Sequence, residues 1–169
     1  AVLVDGSPVA LTMPFLFTEH LQANEDYYKH FAIGSVDRLI RYTCMFISTS
    51  TPALYLALLA YHPILIPTHL AISISAARQG VPFPAVIEVF VMGLLFEIMR
   101  EGGVRLPTPI GQALSIVGAI VLGDAAVQAQ IVSAPMIIVV AITAISGFAV
   151  PSFYGVMILL RAFFALLAA

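Results

Sequence analysis

The sequence predicts an all-α membrane protein, a polytopic helical bundle. Three observations predict it. Of 169 residues, 61% are hydrophobic and only 9% are charged, against about 25% charged in soluble domains. The mean hydropathy is +1.05. The charges are also unevenly spaced: none falls between Arg41 and Arg78, and none between Asp124 and Arg161, gaps longer than the roughly 20 residues that cross a bilayer core. Seven basic and nine acidic residues cannot coat a soluble globule of this size. They leave no basic face for nucleic acid, and a net charge of −2 points to no strong polyionic partner. The single cysteine, Cys44, excludes an internal disulfide and argues against a thiolate zinc site.

Residues 1–23 read as the end of an N-terminal soluble domain or a linker. Val2-Leu3-Val4 and Val9-Ala10-Leu11 flank Asp5-Gly6-Ser7-Pro8, a pattern of two short strands around a turn. The chain opens on Ala1 and stops inside an apolar run, so it is expected to be a piece of a longer protein, cut within its membrane domain at the C-terminal end. Residues 24–41 read as an amphipathic helix at the membrane interface. Asn24 is a good N-cap, Glu25 and Asp26 suit the positive end of the helix dipole, and apolar residues from Tyr27 to Ile40 interleave with Lys29, Asp37, Arg38 and Arg41.

Residues 42–169 form the expected transmembrane domain, with about four complete apolar helices. The first span is expected at 42–61. Its middle, Ser48-Thr49-Ser50-Thr51-Pro52, combines a helix-kinking proline with hydroxyls able to satisfy freed carbonyls. Pro52 is either a tolerated kink or a hinge in a polar lining. A short helix over 71–77 is expected to lie along the membrane between proline-rich turns. The second apolar helix, 85–101, is short for a full span and could be re-entrant. It carries Glu88 well inside it, and Glu97, Arg100 and Glu101 share one face by their spacing. An ionisable group at membrane depth is a functional candidate. The competing reading is a carboxyl hydrogen-bonded between helices and an ion cluster at the interface.

The third helix, 110–130, carries Gly111, Ser115, Ala119 and Gly123 at four-residue spacing, a stripe that lets helix backbones approach closely in lipid. Asp124 and Gln128 share a face near its end, as an interfacial terminus or as a polar lining. A fourth helix is expected at 136–150. A fifth begins near 156, after the Pro151 break. With the N-terminus in the cytoplasm and four helices spanning, Lys29, Arg38, Arg41, Arg100, Arg105 and Arg161 sort to the cytoplasmic side and Arg78 to the other, as the positive-inside rule prefers.

No catalytic pattern is present: the chain holds no Gly-x-Ser-x-Gly, His-Glu-x-x-His, P-loop or Gly-x-Gly-x-x-Gly run. His62 and His69 match no metal-ligand spacing. The sequence therefore predicts no enzyme, no catalytic residues, no cofactor and no metal.

A run of motifs, in order, resembles one family. They are Asp5-Gly6-Ser7-Pro8, Glu25-Asp26-Tyr27-Tyr28, Pro52-Ala53-Leu54-Tyr55, Arg78-Gln79-Gly80-Val81-Pro82-Phe83-Pro84, Phe96-Glu97-Ile98-Met99-Arg100-Glu101, Arg105-Leu106-Pro107-Thr108-Pro109-Ile110-Gly111-Gln112-Ala113 and Ala125-Ala126-Val127-Gln128-Ala129. Together they resemble the A subunit of bacterial spore germinant receptors, the GerA spore germination family. The resemblance implies a membrane domain that follows a large cytoplasmic domain, in the inner membrane of the spore. It implies a transporter-like, nutrient-binding B-type subunit and a C-type lipoprotein as partners. It also implies a part in triggering ion release, with A subunits assembling as a homo-oligomeric ion-conducting channel. Glu88, Glu97, Arg100, Glu101, Asp124 and Gln128 are then the candidate ion-path or gating residues. Two other readings stay open: a secondary transporter binding a small solute at the Ser48–Pro52 break, and a non-conducting scaffold held by the small-residue stripe.

Overall fold

The computed structural model describes residues 2–3, 10–11, 16–104, 118 and 121–169. Val2–Leu3 (β1) pairs antiparallel with Ala10–Leu11 (β2), in the register Val2 to Leu11 and Leu3 to Ala10. The Asp5–Pro8 turn lies outside the described residues. Everything else described is helix or connecting turn. Two 3-10 turns, Phe17–Leu21 and Asn24–Tyr27, lead into α1, Phe31–Ala60. Then come α2, Thr68–Arg78, and α3, Ala85–Val104. Residues 121–128 are helical (α4), and α5, Ala134–Phe148, and α6, Tyr154–Leu167, complete the order.

The sequence divides an interfacial helix at 24–41 from a span starting at 42, but the structure shows no break there. Asn24–Tyr27 is a separate 3-10 turn and α1 runs unbroken for 30 residues. Asp26 accounts for the separation. Its carboxylate accepts the Ala23 backbone N–H at 3.2 Å and pairs with Arg41, so the turn folds back onto α1 rather than feeding it. Gly34 permits the close approach, since a Cβ there would stand 2.9 Å from the Asp26 carbonyl oxygen.

Among the described residues, α1 is the one helix long and apolar enough to cross a membrane. The helix α3 has 20 residues, about 30 Å, but carries Glu88, Glu97, Arg100 and Glu101. The expected fourth and fifth helices appear as α5 and α6, of 15 and 14 residues. Each is only about 22 Å long, too short to cross alone. They meet at the Pro151–Phe153 turn with a bend of 105° and together satisfy the length and hydropathy of a span. Of the small-residue stripe, Gly111, Ser115 and Ala119 lie outside the described residues. Gly123 is described, and a Cβ there would stand 3.4 Å from the Ile137 side chain of α5.

The end of α4 is closed by local geometry. The Gln130 N–H donates to the Val127 carbonyl at 2.9 Å and the Ile131 N–H to the Ala126 carbonyl at 3.0 Å. Gln130 itself takes a φ of 55°, so the pattern is a Schellman cap with glutamine in the position glycine usually fills.

Two clusters hold the bundle. Leu56, Val89, Met92, Val132, Met136 and Ala165 join α1, α3, α5 and α6 at one end. Leu21, Val150, Tyr154 and Met157, with Met45 against them, join the N-terminal segment to the α5–α6 elbow at the other. So α1 and α6 run one way, α3 and α5 the other.

Candidate functional site

Pro52 is the starting point. Its missing N–H leaves the Ser48 carbonyl, four residues back, without an intrahelical donor. The structure supplies one from another helix: Arg161 of α6 donates through Nε to the Ser48 carbonyl oxygen at 3.2 Å and through Nη2 to Ser48 Oγ at 2.9 Å. Ser48 Oγ in turn donates to the Thr143 carbonyl of α5 at 3.0 Å. The neighbouring hydroxyls stay with their own helix, Thr49 donating to Met45 O at 2.9 Å and Thr51 to Ile47 O at 2.6 Å. Ser48 is thus the hydroxyl of the run that ties three helices together. The helices approach closely here, because a Cβ at Gly147 would stand 2.7 Å from the Tyr154 ring and 3.2 Å from Ser48 Oγ.

Beside this break lies a second polar group. Glu97 Oε1 accepts from Arg100 Nε at 3.0 Å, and Arg100 Nη2 lies 2.9 Å from the same oxygen. The Tyr154 hydroxyl donates to Glu97 Oε2 at 3.2 Å, and the Arg100 guanidinium sits 3.5 Å from the centre of the Tyr154 ring. Tyr154 opens α6 at the elbow, so this cluster joins α3 to the broken helix pair.

Glu88 stands elsewhere. It falls in the first turn of α3 and its side chain is 1% exposed. Oε2 accepts the backbone N–H of Ser133 at 2.9 Å and the Ser133 hydroxyl at 2.8 Å. Ser133 is the N-cap of α5, so the carboxylate meets the positive ends of two helices. Arg78, the last residue of α2, places Nη2 3.1 Å from Oε1. That contact is an ion pair without hydrogen-bond geometry, and Oε1 and Arg78 Nη1 are both buried with no hydrogen-bond partner. Nearby, Gly80 and Gln130 bring the loops before α3 and α5 together.

The candidate residues therefore do not form one site. Glu97 and Arg100 come together, Glu88 sits at the opposite end of α3, and Glu101 is exposed. Asp124 and Gln128 bond to each other at 2.8 Å on an exposed face. Sequence reasoning missed Arg161 and Tyr154, and it singled out Ser48 only as part of the Ser48–Pro52 run. The orphaned Ser48 carbonyl could be read four residues before Pro52. Its donor, 113 residues away, could not. The charge-sorting argument places Arg161 at the cytoplasmic side with the other basic residues, whereas in the structure it lies midway along α6 at the Pro52 break.

A fourth cluster was also missed. The Asp26 side chain is fully buried and takes a two-pronged pair from Arg41, Nη1 and Nη2 each at 2.6 Å, with Arg38 Nε at 3.3 Å. Arg41 Nη1 also donates to the Leu21 carbonyl at 3.0 Å. The Arg41 hydrogen bonds, opposed by burial and aided by the Ala23 N–H and Arg38, hold this carboxyl well below the usual carboxylate range. On the exposed side of the segment, the Asp37 carboxylate accepts from Lys29 at 2.8 Å and raises that ammonium's pKa. Phe17 packs edge-to-face and His20 tilted against Phe153 of the elbow, at 5.1 and 5.3 Å between ring centres. Among the described residues no three His, Cys, Asp or Glu side chains are grouped to hold a metal ion.

Comparison with known proteins gives a consistent result. The profile of the family described as Bacillus/Clostridium GerA spore germination protein matches residues 1–169. Spore germination protein KA of Bacillus subtilis (strain 168) is 52% identical over 153 residues, covering 90% of this chain and 28% of that protein. An uncharacterized membrane protein of the same organism, YfkQ, is 47% identical over 153 residues, 90% of this chain and 30% of its own length. Spore germination protein GerLA of Bacillus cereus is 49% identical over 151 residues, 89% and 31% respectively. The chain thus spans about a third of the length of these relatives. No solved structure matches it.

Proposed function

The chain belongs to the GerA spore germination family, and from that membership we propose that it is the membrane part of a germinant receptor A subunit that helps trigger spore germination. In this reading it works in the inner spore membrane with its N-terminus in the cytoplasm, beside a B-type transporter-like subunit and a C-type lipoprotein. Residues 42–169 are the transmembrane domain, 24–41 lie at the interface, and 1–23 end the preceding soluble domain. Several copies assemble around an ion-conducting path. The charge distribution supports the orientation: Lys29, Arg38, Arg41 and Arg100 gather at the end holding the elbow, and Arg78 lies at the other.

The observation that carries the reading is the bridged helix break, in which Arg161 substitutes for the donor that Pro52 removes. The structure holds the bridged arrangement; in this reading a released arrangement is its counterpart, as a switching element requires. The N-terminal segment is placed to bias it. Asp26 fixes that segment to α1, and Phe17, His20 and Leu21 press on the elbow from which α6 carries Arg161. A movement of the preceding domain or of a partner would reach the break through this contact. Reconstituting the full-length protein in lipid and recording conductance tests the channel reading: ion flux altered by Glu97→Gln supports it, and no flux in any assembled state sinks it. The transporter alternative places a solute at the Ser48–Pro52 run, where Pro52 leaves a backbone carbonyl free of its helix. Stoichiometric binding of a nutrient by this subunit alone would favour that alternative.

A further inference from the structure

Arg161 holds Ser48 with Nε and Nη2, but its guanidinium is also held from its own helix, by a hydrogen bond to the Tyr154 hydroxyl. The two residues lie on one face of α6, two turns apart. A long helical side chain leans toward the N-terminus of its helix, which carries Arg161 back toward the elbow and Tyr154. Among the described residues no carboxylate forms an ion pair with Arg161; the ion pairs join Lys29, Arg38, Arg41, Arg78 and Arg100 instead. Arg161 reaches Glu97 through the Tyr154 hydroxyl, which donates to Glu97 Oε2 at 3.2 Å.

An arginine can only donate hydrogen bonds, whereas a phenol hydroxyl both donates and accepts. The direction of the chain is therefore fixed: Arg161 donates to the Tyr154 oxygen, and the Tyr154 proton goes to Glu97. An oxygen whose proton is drawn to a carboxylate is a better acceptor, so the two bonds strengthen each other. The ring that carries the hydroxyl has little freedom. It is buried, a Cβ at Gly147 would stand 2.7 Å from its edge, and the Arg100 guanidinium covers one face at 3.5 Å from the ring centre. Arg100 is itself paired with Glu97. A polar path thus runs from the Glu97–Arg100 pair of α3, through Tyr154 and Arg161 of α6, to the Ser48 carbonyl that Pro52 leaves open. It continues through Ser48 Oγ to the Thr143 carbonyl of α5.

We propose that Tyr154 is a positioning residue: its hydroxyl passes the state of the Glu97–Arg100 pair to Arg161, and so sets how firmly the guanidinium holds Ser48. The proposal deepens the switching reading above and rests on it for its purpose. An elbow that shifts Glu97 then loosens the contact at Pro52 through side chains as well as through the movement of α6.

The test reads the relay itself, without ion flux or germination, so it and the germination reading fail separately. Full-length protein carrying isotope-labelled arginine is placed in lipid nanodiscs, and the Nε–H resonance of Arg161 is assigned by its loss in Arg161→Lys. Glu97→Gln keeps the shape of the side chain but replaces a charge-assisted bond with a weaker neutral one. The expected result is a shifted Arg161 resonance and several-fold faster solvent exchange of its Nε proton. Tyr154→Phe keeps the ring, its seat beside Gly147 and its face for Arg100, so it should fold. It should change the Arg161 signal in the same way, and adding Glu97→Gln to it should change nothing more. An Arg161 signal that ignores Glu97→Gln would overturn the proposal without need of the second variant. So would a response to Glu97→Gln that persists in the Tyr154→Phe background, since the charge would then act through space and not through the hydroxyl.

Discussion

Asp26 shows how much one side chain can decide. Its sequence context reads as a helix first turn, yet its carboxylate is consumed by Arg41, Arg38 and the Ala23 N–H. Cutting a buried pair by removing one partner costs about 3–5 kcal/mol, because the other charge is left uncompensated. Asp26→Ala should therefore loosen residues 16–28 by that order, read as faster amide exchange in the segment. The pH dependence has a definite sign. The folded carboxyl titrates below its unfolded value, so the clamp stabilises fully above about pH 4 and loses its contribution as the pH falls toward the folded value. Asp26→Asn should flatten that acid limb of an unfolding curve. Glu88 is a matching case at the other end of the bundle. It was legible as an ionisable group inside an apolar helix, but not its partners, since Ser133 is 45 residues away. Ser133→Ala removes one hydroxyl bond and leaves the backbone bond, and should cost about 1 kcal/mol, measured by denaturant unfolding in detergent. A much larger loss would mean that the hydroxyl, and not the N–H, holds the carboxylate.

Helices were legible where one residue type forces the local outcome. Pro151 predicts the interruption that appears between α5 and α6, while Pro52, expected to kink its helix, removes one backbone hydrogen bond from an α1 that runs on through it. The sequence did not reveal that α1 would run through the expected boundary at 41/42, because that depends on a turn folding back through a contact 15 residues distant. Nor could it show that two short helices would meet at 105°. The Pro52 break makes a prediction about α1 itself. Pro52→Ala restores an N–H to compete with Arg161 for the Ser48 carbonyl and removes a helix penalty of about 3 kcal/mol. The variant should unfold at a higher temperature while its bridge to α6 weakens, seen as faster exchange or greater spin-label mobility along α6. A similar argument applies to the close approach of α1, α5 and α6 at Gly147. Gly147→Leu has no room beside Tyr154 and Ser48 and should destabilise the bundle by overpacking, by about 1–3 kcal/mol, with a lower unfolding temperature as the readout.

In the molecule as a whole, polar clusters mark three levels of a mostly apolar bundle. Asp26 with its arginines binds the entering segment, Arg161 with Ser48 ties α6 to α1 at Pro52 in the middle, and Glu88 with Arg78 ties the far loops. The scarcity of charge predicts a membrane protein, and in the proposed reading the placement of these few groups couples its N-terminal segment to the Pro52 position of α1. The central claim is that this break moves when germination is triggered. The most direct measurement is the rate of nutrient-triggered ion release from spores carrying full-length Pro52→Ala or Arg161→Gln, at matched subunit abundance. The account predicts release slowed several-fold or lost in both variants while the receptor still assembles. Release at the unaltered rate in both would contradict it.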